Sequence, residues 1–270
     1  MRYSQLLILL TASFAALPLS ASREVPTMFS ESEEFRESQL AAVRLQPGEK
    51  LAQYTKYNFG PLWKQTPSTA VVGFIGAGYQ RLQVKILTVN QSTTDPALYY
   101  VAGKTRVLGT VRSFGGTLRL QQVREAKPVK HRDMEEGPAP DVTMEGLAVG
   151  SYELMENKKL DRTGVFRGVV ATNWYLDSKG QLHYNDLDMV ADSYSNNRFV
   201  GTWTSYLTKK SLRCNWGDYR VPNSGDLDIG AGEFSPAKKY EANGWHTYIA
   251  ALADPENTAA RQQEKQAWWK

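Results

Sequence analysis

Apolar and polar residues alternate with a period of two over Arg81–Val89, where Leu82, Val84 and Ile86 interleave with Arg81, Gln83 and Lys85. That spacing places the apolar set on one face of a strand. Runs rich in β-branched and aromatic residues recur at Thr69–Ile75, Leu98–Val101, Thr105–Val111 and Thr117–Val123, punctuated by Gly103, Gly109 and Gly115-Gly116. A second series follows. Val165–Leu176 reads as a long strand, Asp177–Gly180 as a hairpin loop, and Gln181–Met189 as the returning strand. Arg198–Leu207 is the next strand, and Ser211–Glu233 mixes short strands with glycine turns.

Helical signals are confined to the ends. Ser30 and Glu33 have capping-box spacing, so 31–45 is expected as a short helix closed by Pro47-Gly48. Leu51–Trp63 is a second short helix or an irregular segment against the main body. Asp254-Pro255-Glu256 marks the start of a C-terminal helix. Between the two β series, Glu125–Asp141 carries Pro128, Pro138 and Pro140 among mixed charges and reads as an exposed loop or linker.

The two series share a spacing. Tyr99 precedes Phe114 (Phe-Gly-Gly-Thr) as Tyr184 precedes Phe199 (Phe-Val-Gly-Thr), and Phe74/Gly76 parallels Phe166/Gly168. This self-similarity suggests an internal duplication. The expected fold class is mainly β: an antiparallel meander forming a barrel or clam from two related halves, with short N-terminal helices and a C-terminal helix. Two tandem sandwiches are the alternative. The expected division is 1–21 signal peptide, 22–67 N-terminal segment, 68–124 first β repeat, 125–145 loop or linker, 146–235 second β repeat and 236–270 C-terminal tail.

The N-terminus reads as an export signal. Arg2 precedes the apolar run Leu6–Ala16, Pro18 follows, and Leu19-Ser20-Ala21 offers a small-residue cleavage site. Cleavage is expected after Ala21, with Ser22 as the second choice. The run is too short to span a bilayer, and no later stretch is apolar enough to do so. The expected location is secreted or periplasmic. The formal charge of +4 is too small, and too evenly spread, to suggest a nucleic-acid binder. Cys214 is the only cysteine, so an internal disulfide is excluded.

Gly201-Thr202-Trp203, on a strand of an antiparallel meander behind a signal peptide, resembles the Gly-x-Trp element of lipocalin-like, calycin-type β-barrels. In that family the element stands near the start of the barrel, and disulfides are usual; here it is late and disulfides are absent. The resemblance implies a small apolar ligand inside the barrel and a role for Trp203. The chain is also similar in style to uncharacterised exported bacterial β proteins, which implies no activity.

The densest chemistry lies in Cys214–Glu233, with Trp216, Asp218, Arg220, Asp226, Asp228 and Glu233 among four glycines. Asp226-x-Asp228-x-Gly230 with Glu233 offers oxygen ligands for calcium, though without EF-hand spacing. Two acids beside aromatics also suit glycoside hydrolysis. The plain alternative is a glycine-rich corner whose aspartates cap turns and pair with Arg220. Asp186, Asp188 and Asp192 form a second acidic set expected to face water. His131, His183 and His246 lack metal-ligand spacing on any local element, and neither a Gly-x-Ser-x-Gly elbow nor a P-loop is present. The expectation is therefore a non-enzymatic exported protein binding a small apolar ligand or a surface partner. A carbohydrate-active hydrolase using the 218–233 acids, and a calcium-stabilised structural or adhesion module, are the alternatives.

Overall fold

The computed structural model describes residues 29–127 and 141–270. The signal-peptide reading, His131 and most of the proline-rich segment lie outside them. Among the described residues nine strands form one antiparallel sheet: β1 Val71–Ile75, β2 Gln80–Gln91, β3 Leu98–Val107, β4 Thr110–Ala126, β5 Val142–Glu156, β6 Gly164–Asp177, β7 Leu182–Tyr184, β8 Asn196–Ser205 and β9 Ser211–Asp218. Their order is β5-β4-β3-β2-β1-β9-β8-β6-β7, and β5 also pairs with β6. That extra pairing closes β1–β6, β8 and β9 into a ring. The short β7 continues the edge of β6 beyond β8: Trp174–Leu176 pair with β7, and Gly164–Ala171 with β8. One sheet thus carries both β series, and β4 pairs with β5 across the proline-rich connection.

Alternation along the strands fills the ring. Leu82, Val84 and Ile86 of β2, Tyr99 and Val101 of β3, Phe166, Val170 and Trp174 of β6, and Phe199 of β8 join one buried cluster. At one end the N-terminal segment plugs the ring. Helix α2 (Leu51–Tyr54) and a 3-10 turn at Gly60–Trp63 deliver Tyr54, Phe59, Leu62 and Trp63 into the same cluster. Helix α1 (Phe29–Leu40) covers the outer face, where Phe35 meets Leu147, Val149, Val169, Ala171 and Val200. The C-terminal segment, with helices α3 (His246–Ala253) and α4 (Thr258–Glu264), follows a cluster of Phe234 and Trp245 on Val72 and Phe74 of β1.

Several boundaries differ from expectation. Thr105–Val111 is not one strand, because Leu108 (φ 47°) and Gly109 (φ 78°) form a two-residue hairpin turn between β3 and β4. Positive φ at both positions matches the twist of the flanking strands. Gln181–Met189 shortens to β7, so Asp186 and Asp188 lie on the loop that follows. The first helix stops at Leu40 rather than residue 45. The last helix starts after Asn257, whose side chain accepts from Ala260 N, rather than at Asp254-Pro255. Tyr99 and Phe114 stand on paired strands, whereas Tyr184 and Phe199 stand on strands that both pair β6.

Candidate functional site at the open end of the ring

The plugged end and the opposite end differ. Four turns gather at the opposite end: 76–79 between β1 and β2, 108–109 between β3 and β4, 157–163 between β5 and β6, and 206–210 between β8 and β9. Antiparallel up-and-down order puts them there together. Between them lies a cavity of about 260 Å³, lined by Ile75, Val107, Phe166, Trp203 and Leu212 with Arg112 and Glu156.

Beyond Phe166 of the cavity wall, which meets Trp216 edge-on with ring centroids 6.3 Å apart, the interior is aromatic. The rings of Phe199 and Trp216 stack with centroids 4.5 Å apart and 11° between planes. Tyr152 meets them edge-on at 5.4 and 5.1 Å. Towards the plugged end Phe199 and Trp216 border only a small hollow of about 20 Å³, shared with Trp63, Val84 and Asp218.

Glu156 is the one acid in the cavity wall, and it stands on β5 in phase with the inward-facing Tyr152 and Leu154. It is 6% exposed. Its Oε2 accepts from Trp203 Nε1 at 2.9 Å and from Gly164 N at 2.9 Å, and its Oε1 accepts from Thr105 Oγ1 at 3.2 Å. Burial raises its pKa; the three donors and the positive charge of Arg112 oppose but do not cancel that. Arg112 reaches in from β4. Its terminal nitrogens donate to the carbonyls of Val111 (3.1 Å) and Asp161 (3.0 Å), while its buried Nε has no hydrogen-bond partner. A buried donor without an acceptor is costly, at roughly 1–3 kcal/mol.

Of the residues singled out in the sequence, only Trp203 lies in this cavity. Trp216 lies outside its lining and borders the small hollow beside Asp218. Asp218 sits at the plugged end, fully enclosed, where Thr66 Oγ1 (2.7 Å), Asn197 Nδ2 (2.7 Å) and Tyr184 Oη (3.0 Å) all donate to Oδ2. Asn197 also donates to Leu62 O at 2.7 Å, so this network fastens the plug. Burial pushes the Asp218 carboxyl up to about 7, against those donors.

The remaining acids are scattered. Asp228 pairs with Arg220 at 2.7 Å and accepts from Gly230 N and Ser235 N. Arg220 also donates to the carbonyls of Gly230 and Gly232, which makes this segment a self-bonded corner. Asp226 is held by Lys239 and Tyr240 on the far side of that corner, and Glu233 is exposed. The structure therefore does not assemble the calcium site expected from Asp226, Asp228 and Glu233. Among the described residues no three His, Cys, Asp or Glu side chains converge as a metal site. Nor do Asp218 and Asp226 face a common cleft, because one is buried under the plug and the other is on the surface. Cys214 is fully buried, and burial pushes its thiol well up, which leaves it un-ionised and inert. His183 Nε2 donates to Asp177 Oδ2 at 2.9 Å, and the imidazole stacks on Tyr175.

Sequence reasoning missed Glu156 and Arg112. Each comes from a different hairpin, so no local motif joins them. The available signal was phase: both occupy inward positions of alternating strands, where a charge is unexpected. No family model, curated protein or solved structure matches this chain.

Proposed function

We propose that this protein is a non-enzymatic binder of a small apolar molecule, which it holds in the mouth of the ring with one hydrogen-bond acceptor turned to Arg112. The observation that carries this is the cavity of about 260 Å³ with largely apolar walls and the Arg112 guanidinium among its lining side chains. Apolar walls supply affinity in proportion to the area buried, and one placed donor fixes orientation. Glu156 has its oxygens occupied by Trp203, Gly164 and Thr105, so it shapes the wall and holds the indole in place. A neutral acceptor such as a hydroxyl or carbonyl suits this pairing of Arg112 with a neighbouring carboxyl better than a second anion.

The volume of about 260 Å³ supports a ligand of limited size. The test is a titration with decanol, followed by tryptophan emission. Decanol is expected to change the emission of the wild-type protein saturably, and to change that of Trp203→Phe much less. A Leu212→Trp variant, which puts a larger side chain in the cavity wall, is expected to weaken binding. Equal responses from all three proteins would reject the site.

A further inference from the structure

The rim of the mouth differs from the cavity inside it. Each of three hairpin tips presents a leucine to solvent: Leu108 is 70%, Leu160 48% and Leu207 87% exposed. They belong to three different turns and stand at the same end of the ring. Leucines at tips do not contribute to the core, and leaving them in water forgoes their burial energy.

The tips are also basic. The 157–163 turn carries Lys158, Lys159 and Arg162 against one acid, Asp161. The 206–210 turn adds Lys209 and Lys210 and no acid. All five cations are exposed. The two turns are fastened side by side: Tyr206 N donates to Thr163 O at 3.0 Å, and the Lys158 ammonium lies 5.2 Å from the centre of the Tyr206 ring. Arg112 bonds the carbonyl of Asp161 from inside the mouth, so the base of the 157–163 turn is anchored to the wall.

We infer that this end of the protein docks on a bilayer rich in anionic lipid, with Leu108, Leu160 and Leu207 entering the acyl boundary and the lysines and Arg162 meeting the headgroups. Charge complementarity selects an anionic surface, and each basic residue close to such a surface adds attraction that falls off within a Debye length. The leucines select lipid over nucleic acid or an acidic protein of purely polar surface, because the acyl region offers apolar tips a matching phase and those surfaces do not. The arrangement lies on the surface; Leu108 and Arg162 also line the cavity, whereas Leu160, Leu207, Lys209 and Lys210 do not. It also brings the mouth against the membrane, so an apolar ligand could pass between bilayer and cavity without crossing water.

The experiment is co-sedimentation of the purified protein with vesicles of phosphatidylcholine alone or with one-third phosphatidylglycerol. Binding is expected to the anionic vesicles and to fall with added salt. Lys209→Glu with Lys210→Glu, and separately Leu160→Ser with Leu207→Ser, are each expected to lower partition about tenfold or more. These positions are exposed, and unchanged thermal melting checks that the fold is kept. As a gain-of-signal control, emission from Leu207→Trp is expected to be quenched by vesicles with brominated acyl chains. Three outcomes overturn the inference: no partition on either vesicle, partition that neither double variant alters, or loss with the charge variant while the leucine variant and the brominated lipids do nothing. The last would mean a polyanion surface and not a bilayer. Decanol binding measured without vesicles separates the two proposals, since either can fail while the other stands.

Discussion

The indole N–H of Trp203 on β8 donates to Glu156 Oε2 on β5 at 2.9 Å, across the intervening strand β6. This bond ties together two walls of the mouth that share no ladder. It also holds the indole in the cavity wall and gives a buried carboxyl a donor. Replacing Trp203 by Phe removes the donor while keeping most of the apolar surface. The expected loss is roughly 1–3 kcal/mol of stability, measured by denaturant unfolding. Glu156→Gln is expected to keep the fold at lower cost, because the amide oxygen still accepts.

Gly164 makes that bond geometrically possible. A Cβ there would lie 2.4 Å from Thr204 O and 2.6 Å from Trp203 Cε2. The first neighbour is backbone and cannot yield without opening the β6–β8 ladder. Gly164→Ala is therefore expected to destabilise by about 1–3 kcal/mol as an overpacked site. It should also shift the indole off Glu156, seen as a change in the near-ultraviolet circular dichroism that Val165→Ala does not reproduce.

Asp218 sets a pH dependence at the other end. Its folded pKa is pushed up to about 7 from an ordinary value of 3.8. The unfolded chain therefore releases this proton first as pH rises. The contribution is fully present below pH ~4 and is lost between there and about 7, by at most about 4 kcal/mol. Lys85 is the charge that acts against the shift, and Tyr184 is the neighbouring phenol. Asp218→Asn keeps an acceptor for Thr66, Asn197 and Tyr184. It is expected to flatten the stability profile between pH 4 and 7 relative to wild type, in urea unfolding at a series of pH values.

Glu264 runs the opposite way. Burial works to raise its pKa, but Arg81, bonded at 2.8 Å, and Thr247 hold it below the usual carboxylate range. Arg81 lies 5.3 Å from the Trp245 ring centre and 5.1 Å from that of Tyr248, so the pair clamps α4 to the sheet. This stability is present above the unfolded pKa and is lost as pH falls through the folded value. Glu264→Gln is expected to speed amide exchange in α3 and α4 at neutral pH and to change it little in acid. Uniform exchange at both pH values would contradict the clamp.

Legibility of the fold in the sequence followed burial on one face or two. Strand β2 shows its alternation because one side meets solvent. Strand β5 does not, because α1 covers its outer side and Gly146–Gly150 is buried on both faces. The β3–β4 turn was hidden by Leu108, an apolar residue in a left-handed conformation that glycine more often takes. At the site, Trp203 was legible through Gly-x-Trp. Glu156 and Arg112 were not, since only ring closure brings β4, β5 and β8 to one mouth. The acids at 226–233 looked like a ligand set because they are close in sequence, yet Arg220, Lys239 and Tyr240 consume two of them.

The most direct measurement is the indole N–H spectrum of protein labelled with nitrogen-15 tryptophan, recorded with and without decanol. Trp203→Phe assigns its resonance among the seven tryptophans. A saturable shift of the Trp203 signal, weakened by Leu212→Trp and accompanied by little change at the enclosed Trp174, supports a ligand seated in the mouth. A Trp203 signal that stays in place while decanol moves other tryptophans, or moves none, would contradict it.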